Sequence, residues 1–287
     1  MPVKPCSCLL AMGLALAILA IVSPASAQRK VRWNAPPEEW QWVVDEAAPG
    51  TTHHTLRSES MRRDVGYNIY LPPSYEQSLD RRYPVVYFLH GAGGSERSDA
   101  DPSMVRRLIA AGRIADVIYV YPNGGHFSKY RDWPDGNVKS ETFLIRELIP
   151  HVDRTYRTIA RRDGRALSGW SMGGDASLRF VCKYPDMFCA AATFSAAIDW
   201  GAEGDDTIVA YSRANADKIR GRTGLMMVVG EDDRLFEAHK KLLPHLEQLK
   251  LEHGFRAIPE VGHNLGLMKQ HAAEEITLML AKHLAKQ

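Results

Sequence analysis

Gly169-Trp170-Ser171-Met172-Gly173-Gly174 is the stretch that decides how this chain is read. It is a G-x-S-x-G sequence with one more glycine. Asp163 to Leu167, before it, suits a short strand, and Asp175 to Lys183, after it, suits a helix. A serine on a sharp strand-to-helix turn is held in strained backbone geometry, so its hydroxyl stands clear of the sheet. Glycines on both sides are needed because side chains there would collide with the neighbouring strand and helix. The helix N-terminus also directs free amides and a positive dipole end toward the serine. That environment suits an oxyanion. The motif alone is a turn of common residues, so its chemistry depends on what else the chain supplies.

The flanking pattern is that of alternating strands and helices. Val85 to Leu89 is a continuous apolar run, as expected of a strand covered on both faces. Val117 to Tyr121, Ala190 to Phe194, Met226 to Val229 and Phe255 to Ile258 read the same way. Helical patterns lie between and after them, at Ser103 to Ala111, Ser140 to Tyr156, Met172 to Lys183, Leu235 to Lys250 and Met268 to Lys286. Thr52 to Ser58 and Val65 to Leu71 alternate around a charged turn and form an expected antiparallel hairpin. The fold expected is therefore α/β: a mostly parallel central sheet with an N-terminal antiparallel hairpin and helices on both faces. Ligands gather at the carboxyl ends of such strands, and the serine turn is at one of them.

A hydroxyl at neutral pH needs a general base. His263, in Glu260-Val261-Gly262-His263-Asn264, follows a strand and so occupies the same sheet edge. His239, His245, His253 and His271 lie on or near helices and are expected to be solvated, while His53 and His54 fall in the early hairpin. The base needs an acid to orient it. Gly230-Glu231-Asp232-Asp233 follows the Met226 strand, so a carboxylate of this run lies at the same sheet edge. One acid of this run is expected to cap the next helix while its neighbour serves the histidine. Two backbone amides complete the set. Met172 supplies one, and Ala92, in His90-Gly91-Ala92-Gly93-Gly94, supplies the other, its glycines letting backbone approach a substrate. His90, Gly91, Trp170, His126, Tyr130 and Trp133 are candidate pocket residues, the last three equally readable as loop packing. Neither a metal nor an organic cofactor is required by this chemistry.

The ends of the chain bear on location. Lys4, the uncharged apolar run Leu9 to Val22 and Ala25-Ser26-Ala27 together read as a signal peptide over residues 1–27, cleaved after Ala27. The expected product is exported, periplasmic or secreted, without stable membrane insertion. Cleavage leaves the 260 residues from Gln28 to Gln287, enough for one α/β domain, with 35 basic against 34 acidic side chains once Lys4 is gone. That balance does not suggest a nucleic-acid binder. Residues 28–51 form a leader with Trp33, Trp40 and Trp42, expected to pack on the body rather than to stack sugars, and 52–287 the catalytic domain. Cys182 and Cys189 either pair or remain small buried thiols. Oligomeric state is left open.

Several motifs together carry a resemblance. They are Tyr70-Leu71-Pro72-Pro73-Ser74-Tyr75, Leu89 to Gly94, Tyr121-Pro122-Asn123-Gly124, Glu147 to Asp153, Ser168 to Gly174, Lys183 to Phe188 and Gly262-His263. From about Thr52 onward the chain resembles the esterase D-like branch of α/β-hydrolases. That branch holds S-formylglutathione hydrolases, feruloyl and acetylxylan esterases of carbohydrate esterase family 1, and mycolyltransferases. The resemblance carries the acid over to Asp233, three residues after Gly230, with Asp232 as the fallback. It implies the order Ser171, Asp233, His263 and a serine esterase acting through an acyl-enzyme on acylated carbohydrates, acetyl or feruloyl, or on small esters. Acyl transfer to a sugar or lipid hydroxyl is the alternative, and a non-catalytic binding protein the outside one. Export argues against a cytosolic glutathione thioester. Trp170 stands where the pattern often has leucine or phenylalanine, and the leader lies outside the match.

Overall fold

The computed structural model describes residues 1–3 and 35–285; Lys4, the apolar run, the cleavage site and Trp33 lie outside the described residues. Trp33–Gln287 make up one compact unit. Eight strands form a single sheet: β1 (Thr52–Ser58), β2 (Arg63–Tyr70), β3 (Val85–Leu89), β4 (Ile118–Pro122), β5 (Arg165–Trp170), β6 (Ala190–Phe194), β7 (Gly224–Gly230) and β8 (Gly254–Ile258). Their spatial order is β1-β2-β4-β3-β5-β6-β7-β8. β1 pairs antiparallel with β2, and β2 with β4. Every later pairing is parallel. This is an α/β-hydrolase sheet.

The helices are α1 (Ser103–Ala110), α2 (Ser140–Thr142), α3 (Ile149–Thr155), α4 (Met172–Lys183), α5 (Ile208–Ala214), α6 (Ala216–Ile219), α7 (Phe236–Gln248) and α8 (Leu265–His283). Side chains of a strand alternate between faces, and two apolar layers result. Val85, Tyr87 and Leu89 of β3 join the layer with residues of α4 and α7, such as Phe180 and Leu242. Val86 and Phe88 join the opposite layer, with Leu108 of α1 and Ile276 of α8. The helix expected over 140–156 is not uniform. Phe143–Leu148 is wound as a π-helix between α2 and α3, and the Ile149 amide bonds back five residues to Leu144. The next residue, Pro150, has no amide to continue the α pattern from inside. α5 and α6, seven and four residues long, were not among the expected helices.

The leader belongs to the core. Trp40 and Trp42 are buried, and their indole N–H groups donate to the carbonyls of Ala35 and Pro37. The Trp42 carbonyl accepts from the Gly66 amide of β2. Cys182 and Cys189 are both free thiols and both buried. They sit in opposite apolar layers, Cys182 on α4 and Cys189 just before β6. Burial pushes the Cys182 thiol up to about 12 and the Cys189 thiol to about 11. His239 is fully buried on α7 rather than solvated as expected, with Nδ1 2.9 Å from the Leu235 carbonyl. Its imidazole fills the inward face of the helix.

Candidate active site

Ser171 occupies the turn between β5 and α4 with φ 52° and ψ −110°, a conformation that L-residues rarely adopt. Its environment fixes that strain in place. The Ser171 amide donates to Phe194 of β6 at 3.0 Å, and the Ser171 carbonyl accepts from Asp175 and Ala197. The turn is tight enough that a Cβ on Gly173 would fall on the Leu89 carbonyl, and one on Gly169 would strike the Gly173 backbone. Only glycine fits either position. The serine is 6% exposed, enough for its hydroxyl to face outward while the backbone stays covered.

The loop after β8 brings His263 over this serine. Its Nε2 is 3.1 Å from Ser171 Oγ, and its Nδ1 is 2.8 Å from Asp233 Oδ2. Asp233 is 4% exposed and lies in the loop after β7, where its amide bonds to the Gly230 carbonyl. Burial alone would raise its pKa. Hydrogen bonds from His263, from the Ser195 hydroxyl and from the Leu235 amide outweigh that and hold the carboxyl below its ordinary value. The division of labour expected between two acids does not occur. Asp233 does both jobs, with Oδ1 capping the Leu235 amide at 2.9 Å and Oδ2 facing the imidazole. Asp232 is exposed.

The backbone donors can be counted. In the loop after β3, the His90 amide donates to Tyr130 Oη, Gly91 to Asp99 Oδ2, Gly93 to the His126 carbonyl and Gly94 to the Gly91 carbonyl. Among the described residues the Ala92 amide has no such partner. Met172 is the first residue of α4, so its amide belongs to the set a helix leaves unpaired at its start. Two donors remain unused on either side of the serine turn. Such groups are rarely left idle in a folded interior.

The expected pocket residues divide. Trp170 does belong to the site: its ring stacks on His263 with centroids 4.2 Å apart, and it packs against Gly91. His90 does not. It is 2% exposed, its Nε2 accepts from the Gly124 amide and its Nδ1 donates to the Gly91 carbonyl, so both ring nitrogens are spent on holding backbone. Burial lowers its pKa to about 4, keeping it neutral. His126 and Trp133 flank Trp40 of the leader, at centroid distances of 6.4 and 5.5 Å, and Trp133 Nε1 donates to the Ser128 carbonyl. They prop the loop after β4. Tyr130 is buried, and its hydroxyl accepts the His90 amide at 3.0 Å.

Three contributors escaped the sequence reading. Ser195, just after β6, is fully buried and donates to Asp233 Oδ2 at 2.6 Å. Asp99 holds Gly91, next to the Ala92 amide. Arg179, fully buried two turns into α4, donates to the Tyr130 carbonyl and pairs with Glu141 of α2. No local pattern announces them, because each acts on a residue distant in sequence. Among the described residues no group of three or more His, Cys, Asp and Glu side chains is gathered as a metal ion would require.

The family model described as "Putative esterase" matches residues 58–256, which carry β2 through β7, the start of β8, Ser171 and Asp233. The chain belongs to this esterase family. Among relatives, Esterase Rv1288 of Mycobacterium tuberculosis is 33% identical over 165 residues, 53% of this chain and 34% of that protein. The endo-1,4-beta-xylanase/feruloyl esterase of Xylanibacter ruminicola is 34% identical over 144 residues, 47% of this chain and 20% of that protein. The esterase-family chain thus spans about a third or less of these relatives. A solved ferulic acid esterase superposes with a TM-score of 0.72 at 25% identity, covering 82% of this chain and 98% of that one.

Proposed function

We propose that this chain is an exported serine carboxylic-ester hydrolase, with Ser171 as nucleophile, His263 as general base and acid, and Asp233 as the orienting carboxylate. The observation that carries the reading is the continuous relay from Ser171 Oγ through His263 to Asp233, flanked by two unused amides. In the first half-reaction Ser171 Oγ attacks the ester carbonyl carbon while His263 Nε2 takes the hydroxyl proton. The Met172 and Ala92 amides donate to the oxyanion, the kind of contact worth about 10²–10³ in rate per donor. His263 then protonates the departing alcohol. In the second half-reaction water loses a proton to His263 and attacks the acyl-enzyme, and Ser171 leaves with that proton. Asp233 stays charged throughout, consistent with its depressed pKa. The substrate class that fits is an acylated carbohydrate, acetyl or feruloyl, or a small ester. The feruloyl and ferulic acid names of the relatives support it.

An ester panel from p-nitrophenyl acetate through longer acyl chains to methyl ferulate, run beside Ser171→Ala, tests this reading. Turnover abolished in Ser171→Ala is expected, together with loss of covalent labelling by a fluorophosphonate. Wild-type rates no better than the variant on every ester would refute it. Export is tested by N-terminal sequencing of the protein from the periplasm or medium, with Gln28 expected first.

A further inference from the structure

Between the sheet and helices α1 and α8 lies a cavity of about 330 Å³ that touches neither Ser171 nor His263. Its floor is aromatic: Phe88 of β3, Tyr119 and Tyr121 of β4 and Phe194 of β6 share this face of the sheet. Val105 of α1 and Ile276 of α8 close over them. An apolar cavity of about 150 Å³ is enough to take benzene, so the space here fits one substituted ring. Its size also falls within the range of small-molecule sites.

Charged groups line it too: Asp99, Asp101 and Lys269. Asp99 lines the cavity with a carboxylate whose Oδ2 accepts the Gly91 amide at 3.1 Å. Its Oδ1 has no hydrogen-bond partner among the described residues. Lys269 Nζ lies 3.3 Å from the Asp99 carbonyl, 3.9 Å from Asp101 Oδ2 and 5.4 Å from the centre of the Phe88 ring. Two carboxylates against one ammonium disfavour an anion. A second cation is disfavoured too, because Lys269 already sits over the aromatic floor. A ring bearing a neutral hydroxyl suits both groups, donating to Asp99 Oδ1 and accepting from Lys269 Nζ.

We propose that this cavity is a second ligand site, for a small neutral phenol or aryl alcohol, coupled through Asp99 to the loop that carries the Ala92 amide. The binding half stands on the cavity alone, while the coupling half rests on the hydrolase reading. A ligand hydroxyl that draws on Asp99 shifts Gly91, and Ala92 is the next residue. An oxyanion donor is sensitive to displacements of this kind because its worth depends on its distance from the oxygen.

The test uses 4-ethylphenol, titrated by saturation-transfer NMR and calorimetry into full-length Ser171→Ala protein, where ester turnover plays no part. Saturable binding is expected. It should weaken at least tenfold in Ala273→Trp, which fills the cavity from α8, and in Val105→Phe, which fills it from α1. The anion 4-ethylbenzoate should bind at least tenfold more weakly than the phenol. On otherwise wild-type protein, 4-ethylphenol should change kcat for p-nitrophenyl acetate at least twofold, a response lost in whichever filled variant retains a native thermal melt. No saturable binding, or binding to both filled variants as tight as to the unfilled protein, overturns the site. A rise in KM with constant kcat places the phenol at Ser171 and overturns the coupling. If no ester is turned over, the hydrolase reading and the coupling fall together, and the titration alone decides the cavity.

Discussion

Gly91→Ala offers the sharpest probe of how the site is held. Gly91 lies against the pyrrole edge of Trp170, whose ring face stacks on His263 at 4.2 Å. A Cβ built on Gly91 would lie 2.6 Å from Trp170 Nε1 and nearer still to Cδ1. Heavy atoms in contact settle at about 3.5–4.0 Å, so the ring must retreat by about 1 Å. The backbone of Gly91 itself is not strained, since its φ is not in the left-handed region. The damage therefore passes through Trp170 to the imidazole, which must stay 3.1 Å from Ser171 Oγ and 2.8 Å from Asp233. A misplacement of about 1 Å at a catalytic group costs about 10²-fold in rate, near 2.7 kcal/mol of barrier.

Removing the ring should remove the clash. Trp170→Ala alone forfeits a stacking contact worth about 0.5–1.5 kcal/mol, a loss of about tenfold at most. The double variant Gly91→Ala/Trp170→Ala should then match Trp170→Ala rather than multiply the two losses, a non-additivity of more than 1 kcal/mol. The assay is kcat and KM on p-nitrophenyl acetate, with active sites titrated by a fluorophosphonate and folding checked by thermal melts. Wild-type kcat in Gly91→Ala, or a double variant as poor as the product of the singles, would show that Trp170 does not govern His263.

Three further outcomes follow from the same geometry. Asp233→Asn should lower kcat by about 10³–10⁴ with little change in KM, because the amide no longer holds the tautomer the base needs, while Asp232→Asn should stay within about twofold of wild type; comparable losses in both would reassign the acid. Ser195→Ala removes one charge-assisted hydrogen bond from the Asp233 carboxylate, worth about 1.5–3 kcal/mol, and kcat should drop by about 10- to 10²-fold with KM held, a split that steady-state kinetics reads directly. His90, whose folded pKa is lowered from 6.5 to about 4, contributes stability that is fully present above the unfolded pKa and is lost as pH falls from 6.5 toward 4. The loss is on the order of 3 kcal/mol, so urea unfolding between pH 7 and pH 4 should show a markedly flatter slope for His90→Asn than for wild type, and parallel slopes would contradict the assignment.

What the sequence discloses here depends on the distance over which each property is decided. Strand runs and helix faces are set by burial of adjacent residues, so β1, β3, β6 and α4 match their expected bounds residue for residue. The serine turn is legible for the same reason: strain, glycine and helix start occupy six consecutive positions. His263 and Asp233 are legible as loop residues at strand ends, because a parallel sheet delivers all such ends to one edge. Choosing Asp233 over Asp232 requires more, namely the turn in which the Asp233 amide bonds to Gly230 and sends its carboxylate inward. His90 misleads because its position beside the oxyanion loop is a local fact, whereas its partner, the Gly124 amide, comes from a loop 34 residues away. Ser195 and Asp99 are silent in the sequence, and the anchoring role of Tyr130 is too, on the same ground. Ser195 and Tyr130 reach across from other strand ends, 38 and 40 residues distant, and Asp99 folds back eight residues within the loop after β3. The chemistry of this site is thus written in short motifs, and its rigidity in pairs that only the folded sheet brings together. A variant in the second set should leave the motif intact and still lose rate, which is why kinetics on Ser195 and Gly91 tests the fold's contribution as well as the residue's.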